Sequence, residues 1–174
     1  GLYGLMAEFD NPHDLVDAAG RARAAGFSRM DAFSPMPVHG IDEAMGIRRT
    51  RLPLMVLIGG LAGAAGGFLL LYYITVIQYP HNVGGRPYFS WPAYVPVTFE
   101  TTVLLAALTA VIGMLALNGL PRPHHPVFNA ERFILASRNR FFLLIEAEDP
   151  RFDAEATRGF LSSLNPKHVE EVPW

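Results

Sequence analysis

The stretch Leu52–Ile77, LPLMVLIGGLAGAAGGFLLLYYITVI, decides the fold of this chain, because it contains no charged residue. As an α-helix rising 1.5 Å per residue it would be about 39 Å long, more than the ~30 Å hydrocarbon core of a bilayer requires. A second stretch, Val95–Leu117, VPVTFETTVLLAALTAVIGMLAL, holds one charge, Glu100, and would reach about 35 Å. Both exceed the ~20 residues a spanning helix needs, whereas a buried soluble helix is usually shorter. The pair predicts a transmembrane hairpin.

Charge is distributed around that hairpin rather than in it. Residues 1–51 carry six Arg and seven acidic residues, and residues 121–174 carry seven basic and eight acidic ones, while Arg86 and Glu100 stand alone between them. The expected organisation follows. Residues 1–47 form a first cytoplasmic half with a linker. Residues 48–120 form the hairpin, with spans at about 52–77 and 95–117 and an outer loop over 78–96. Residues 121–174 form a linker and a second cytoplasmic half. Arg48, Arg49 and Arg51 precede the first span and Arg122 follows the second, so the positive-inside rule puts both termini in the cytoplasm. Tyr72, Tyr73, Tyr79, Tyr88, Trp91 and Tyr94 cluster near the opposite ends, as an interfacial aromatic belt would. The first span starts about fifty residues in, behind a polar segment, unlike a signal peptide. The sequence begins at Gly1 rather than Met, so further residues are expected before it.

The net charge of -2 suggests no nucleic-acid role. There is no cysteine, which excludes disulfides, thiolate-ligated iron–sulfur clusters, c-type haem attachment and a cysteine nucleophile in this chain.

The two flanks read as a repeat. Each opens with an apolar run, LYGLM and FFLLI, leading to Glu8 and Glu146, with Pro12 and Pro150 four residues later. Asn11 is placed to cap a helix that has Pro12 at its first position, and Leu15, Ala18, Ala19, Ala22 and Ala25 form its apolar face before Gly26 ends it. In the second flank Asp149 or Asp153 caps, and Asn165-Pro166 stops the helix. Two strand–helix–strand units of this kind predict one four-stranded antiparallel sheet with both helices on one face. That is an α+β, ferredoxin-like domain into which the hairpin is inserted. The alternative, independent folding of each half, suffers from the marginal stability of so small a unit.

Gly59, Gly63 and Gly67 recur every four residues and share one helix face, which suits close packing against the second span or another subunit. Glu100 lies about a turn inside its helix. It reads either as a proton-exchanging or ion-pairing carboxylate or as a docking hydrogen bond, with Arg86, His81 or a tyrosine as the nearest partners. Neither span contains histidine, and His124-His125 look like a linker rather than a metal site. GGLAGAAGG lacks the strand-before-helix setting of a phosphate loop, and no Ser/His/Asp arrangement stands out. The loop QYPHNVGGRPYFSWPAYVP is apolar enough to need a partner surface.

That loop carries a resemblance. The runs Asn82–Pro87 (NVGGRP), Ser90-Trp91-Pro92 and Pro96–Glu100 (PVTFE) resemble the D subunit of alternative complex III, a bacterial respiratory quinol-oxidising assembly. The resemblance covers most of the chain. It implies a non-catalytic accessory subunit without a redox cofactor, in the bacterial inner membrane. Haem c and iron–sulfur clusters would reside in partner subunits: a multihaem cytochrome c, an iron–sulfur protein and large integral membrane subunits. Asn82, Arg86 and Trp91 would then be outer-loop contacts to those partners, and Glu100 would lie at an interface or beside a proton route. A second reading is an independent membrane-anchored sensor whose cytoplasmic domain binds a ligand. A homo-oligomeric channel is disfavoured by the shortage of polar residues along either span.

Overall fold

The run LYGLMAEF forms a strand, β1 (Leu2–Phe9), that is buried on both faces from Gly4 to Phe9. A computed structural model of the chain describes residues 1–174. They divide into two compact units, one made of Gly1–Arg48 with Pro123–Trp174 and one of Arg49–Arg122.

In the first unit β1 is followed by α1 (Pro12–Ala24), β2 (Met30–Phe33) and a short α2 (Ile41–Met45). The second segment supplies β3 (Phe141–Glu146), α5 (Ala154–Ser163) and β4 (His168–Pro173). The four strands make a single sheet in the order β2-β3-β1-β4, with every neighbouring pair antiparallel. Strands from both flanks are therefore interleaved, which excludes independently folded halves.

Local chemistry sets the helices. The Asn11 side chain accepts from the Asp14 amide at 2.8 Å and Pro12 occupies the first turn, where its missing N–H costs nothing. Asp153, not Asp149, caps α5 by accepting from the Ala156 amide at 2.8 Å. Asp149 has a different task. Buried at 4% exposure, it accepts from the amides of Ser28 and Arg29 at 2.7 Å and of Arg151 at 2.8 Å. It thereby ties the approach to β2 to the turn after β3.

Alternation along the strands gives the sheet two apolar faces. Leu5, Ala7, Phe9, Phe141, Leu143 and Ile145 pack against Leu15, Ala18, Ala19 and Ala22 of α1 and Leu161 and Leu164 at the end of α5. Met6, Phe142, Leu144 and Val172 face the other way and are covered by Val127, Ala130 and Ala136. This cover is two 3-10 turns, Pro126–Asn129 and Glu131–Ser137, which the sequence pattern did not announce.

Glu8 is fully buried beneath that cover, its side chain 2% exposed. Arg132 from the cover grips it with both ends of the guanidinium fork, Nε to Oε2 at 2.6 Å and Nη2 to Oε1 at 2.9 Å. Arg140 Nε lies 3.2 Å from Oε1, poorly aligned for a hydrogen bond, and Arg140 also pairs with Asp10.

The second unit packs α3 (Leu52–Tyr72) against α4 (Val95–Leu117) as an antiparallel hairpin. The helical path extends through a π-helical turn at Tyr73–Gln78 and a 3-10 turn at Trp91–Tyr94, giving two apolar helical stretches of 27 residues each. Only 17% and 6% of their most apolar windows are buried, unlike core helices of a soluble protein. Exposed apolar helices of this length belong in lipid. A Cβ at Gly63 would overlap the Thr101 carbonyl and come within 3.0 Å of Thr102 Cα, so the backbones touch only because Gly63 is glycine. Thr101 Oγ1 uses its proton among three carbonyls, including Gly63 O at 2.9 Å on the facing helix.

Two predictions follow from these contacts. The Arg132 hydrogen bond outweighs burial and holds the Glu8 carboxyl below the usual carboxylate range. Burial pushes Asp149 up, but the Arg29, Arg151 and Ser28 amides together hold it low. Each lowered carboxyl contributes stability that is complete above its unfolded value and is lost as pH falls through the folded one. Glu170, raised by burial, acts in the opposite sense, its contribution being lost as pH rises through the raised value. The sheet should therefore lose stability as pH drops below about 4.5, the ordinary glutamate value. Glu8→Gln should destabilise it by about 2 kcal/mol, less than the ~3–5 kcal/mol for a fully buried pair because Arg132 reaches water. Circular dichroism melts of the chain in detergent between pH 7 and pH 3 test this; an unchanged acid profile in the variant would reject the role of Glu8. In the hairpin, a Cβ at Gly60 would stand 3.6 Å from Ala106 Cβ, within disulfide range. A Gly60→Cys, Ala106→Cys pair should oxidise readily in a chain with no other cysteine. Adding Gly63→Leu should suppress that crosslink, whereas Gly66→Leu, which faces open space, should not.

Candidate functional site

The end of the hairpin that carries the connecting loop is organised around Tyr94. Grouped by sequence with exposed belt aromatics, it is instead 3% exposed, while Tyr79 and Trp91 are 72% and 55% exposed. Its ring packs edge-on against Phe68 and Phe89 at centroid distances of 5.5 and 6.0 Å. Its hydroxyl donates to the Tyr88 carbonyl at 3.2 Å and contacts Thr75 Oγ1, which donates to Leu71 O at 2.9 Å. A phenol between the end of one helix and the start of the next is what a buried tyrosine needs to satisfy its polar tip. It also anchors the loop at its exit. Its only advance signal was its place in the WPAY run before the second span.

The NVGG run has a geometric reason. Asn82 Oδ1 accepts from the Gly85 amide at 3.0 Å, and the Arg86 amide donates to Val83 O at 3.2 Å. Gly84 and Gly85 sit at φ values of 62° and 76°, the left-handed region that a tight turn demands of both central residues. This turn presents Arg86, which is exposed and has no ion-pair partner in the chain. Trp91 opens the 3-10 turn and is likewise exposed. Asn82 is thus spent on shaping the loop, while Arg86 and Trp91 are left facing outward.

Glu100 is exposed on α4 and pairs with none of Arg86, His81 or the tyrosines. Tyr73 donates instead to Gln78 Oε1 at 2.9 Å, and Tyr94 is engaged as above. Gly59, Gly63 and Gly67 meet Thr109 and Thr101 of the same chain's second span. The glycine face is therefore occupied within the hairpin.

No group of three His, Cys, Asp or Glu residues gathers as metal ligands. His125 Nδ1 accepts from the Val127 amide at 3.4 Å and its ring stacks edge-on with Tyr3, so it starts the 3-10 cover of the sheet. The structure brings the charges of the sheet domain together in the Glu8, Arg132, Arg140, Asp10 and Lys167 cluster, where Lys167 lies 2.9 Å from Asp10. That grouping escaped sequence reading because its acidic and basic members lie more than 120 positions apart.

No curated protein matches the chain. The family model described as alternative complex III, ActD subunit, matches residues 3–171. The match takes in both candidate spans, the loop between them, β2 and β3 whole and most of β1 and β4, and on it the chain belongs to the ActD family of alternative complex III subunits.

Proposed function

We propose that this chain is a non-catalytic, cofactor-free subunit that supports assembly of a respiratory quinol-oxidising complex. The family match over residues 3–171 carries the reading, since it spans the sheet domain and the hairpin together. The expected partners are a multihaem cytochrome c, an iron–sulfur protein and large integral membrane subunits, which would hold the haem c and iron–sulfur clusters. The absence of cysteine from the sequence and of histidine from both spans agrees with that division.

In this reading the hairpin lies in the bacterial inner membrane with both termini cytoplasmic. Arg48, Arg49, Arg51 and Arg122 flanking the spans support that orientation. So does the sheet: β1 pairs only with strands that follow the hairpin, so the chain must return to the side it left. The first unit is a ferredoxin-like domain interrupted by the hairpin; its strand order and the shared burial of α1 and α5 on one face support the assignment. Arg86 and Trp91 are outer-loop contacts to partner subunits in the periplasm, and Asn82 acts by fixing the turn that presents Arg86.

A pull-down of the chain from its native membrane in mild detergent, with a haem spectrum and peptide mass spectrometry, tests the proposal. Co-purification of a multihaem cytochrome and an iron–sulfur subunit in fixed ratio is expected. A colourless, folded chain recovered alone would reject it in favour of a membrane-anchored ligand-binding module.

A further inference from the structure

Glu100 is the only acidic residue of the hairpin unit, and its direction is informative. The face of α4 turned toward α3 is marked by Thr101, Thr102, Ala106, Thr109 and Gly113, the residues against the α3 glycines and Leu52. Thr109 lies nine positions after Glu100, about two and a half turns, so Glu100 points roughly opposite that face. Leu104, Ala107 and Val111 follow Glu100 at helical spacing on its own side. Leu104 and Val111 are 56% and 54% exposed, and Phe99 beside Glu100 is 67% exposed.

An exposed apolar stripe alone would be content with lipid. A carboxylate at its head is not: a charge in a spanning helix is costly and normally faces protein or water and pairs. Nothing in this chain pairs with it. The hydroxyls of Thr101, Thr102 and Thr109 are spent on backbone carbonyls, and Arg86 forms no ion pair with Glu100. Charge complementarity then identifies the occupant.

Resting on the accessory-subunit reading, we propose that the Glu100–Leu104–Ala107–Val111 stripe of α4 is the seat of a transmembrane helix from a neighbouring subunit, which presents a basic side chain at the depth of Glu100. A helical Cα–Cβ bond tilts toward the N-terminus, so the carboxylate is directed toward the loop end of α4 and the ion pair lies near that interface. The small Ala107 lets the two helices approach below it. The hairpin thus has two faces with different work: glycine and threonine join its own helices, and the opposite stripe joins the complex.

The test uses the intact complex in native membranes. A photo-crosslinking amino acid placed at Leu104 or at Val111, with Glu100 retained, should capture a neighbouring membrane subunit, and the captured peptide should carry Arg, Lys or His near the site. Glu100→Ala and Glu100→Gln should each lower recovery of the chain with the redox subunits by about tenfold or more, since truncating one member of a desolvated pair strands the other charge. Crosslinks to lipid alone from both positions, or undiminished recovery of Glu100→Ala, would overturn the proposal. A Glu100→Gln variant that assembles normally would overturn the basic partner, because glutamine keeps the hydrogen bond and loses the charge. If the unmodified chain purifies with the redox subunits while these results fail, only this inference falls; if it purifies alone, the accessory-subunit reading falls with it.

Discussion

Everything in the sheet domain depends on where β1 finds its partners. Hydrogen-bonded on one side to β3 and on the other to β4, β1 is completed only by residues that follow the hairpin. Its own flank offers it nothing, because β2 pairs with β3 instead. Every strand pair joins one flank to the other, so either flank alone has no sheet at all, and even a two-stranded remnant would be marginal in water. The interleaved order makes the two flanks one cooperative body, and Asp149 and Glu8 reinforce it with bonds that each join residues more than 119 positions apart.

The hairpin solves a different problem in a different solvent. Lipid gives two apolar helices no hydrophobic reason to associate, so contact has to come from closeness and hydrogen bonding. Glycines on α3 remove the side chains that would hold the backbones apart, and Thr101 reaches across to Gly63 O. At the loop end the same economy recurs with aromatic rings: Tyr94 fills the gap between helices and uses its hydroxyl to fasten the chain that links them.

How much of this was legible follows from the range of each signal. The spans, the cap at Asn11 and the strand positions depend on neighbours within a turn or two, and sequence periodicity carries such information. The cap left open between Asp149 and Asp153 was local too, and the choice was decided by amides of Ser28 and Arg29 that no local pattern includes. The 3-10 cover over Met6 and Leu144 was hidden for a related reason. PVFNAERFILAS has neither a period of two nor a sustained helical stripe, and its apolar residues make sense only above a sheet whose far face needs closing. Among the residues singled out at the loop, Asn82 turned inward to shape the backbone, and only the solved contacts of Tyr94 separate it from the aromatics around it.

The interleaving of strands across the hairpin also has a consequence in time. Chains emerge at ~5–20 residues per second and domains usually fold as they emerge. Phe9 must wait for Phe141, its register partner, so the first flank spends on the order of ten seconds without a sheet to join. During that interval its apolar strand is an open edge, and the intervening polypeptide has to enter the membrane and come back. Biogenesis of this chain therefore runs insertion first and sheet second, and the sheet can be completed only after the hairpin has been made and the second flank has emerged.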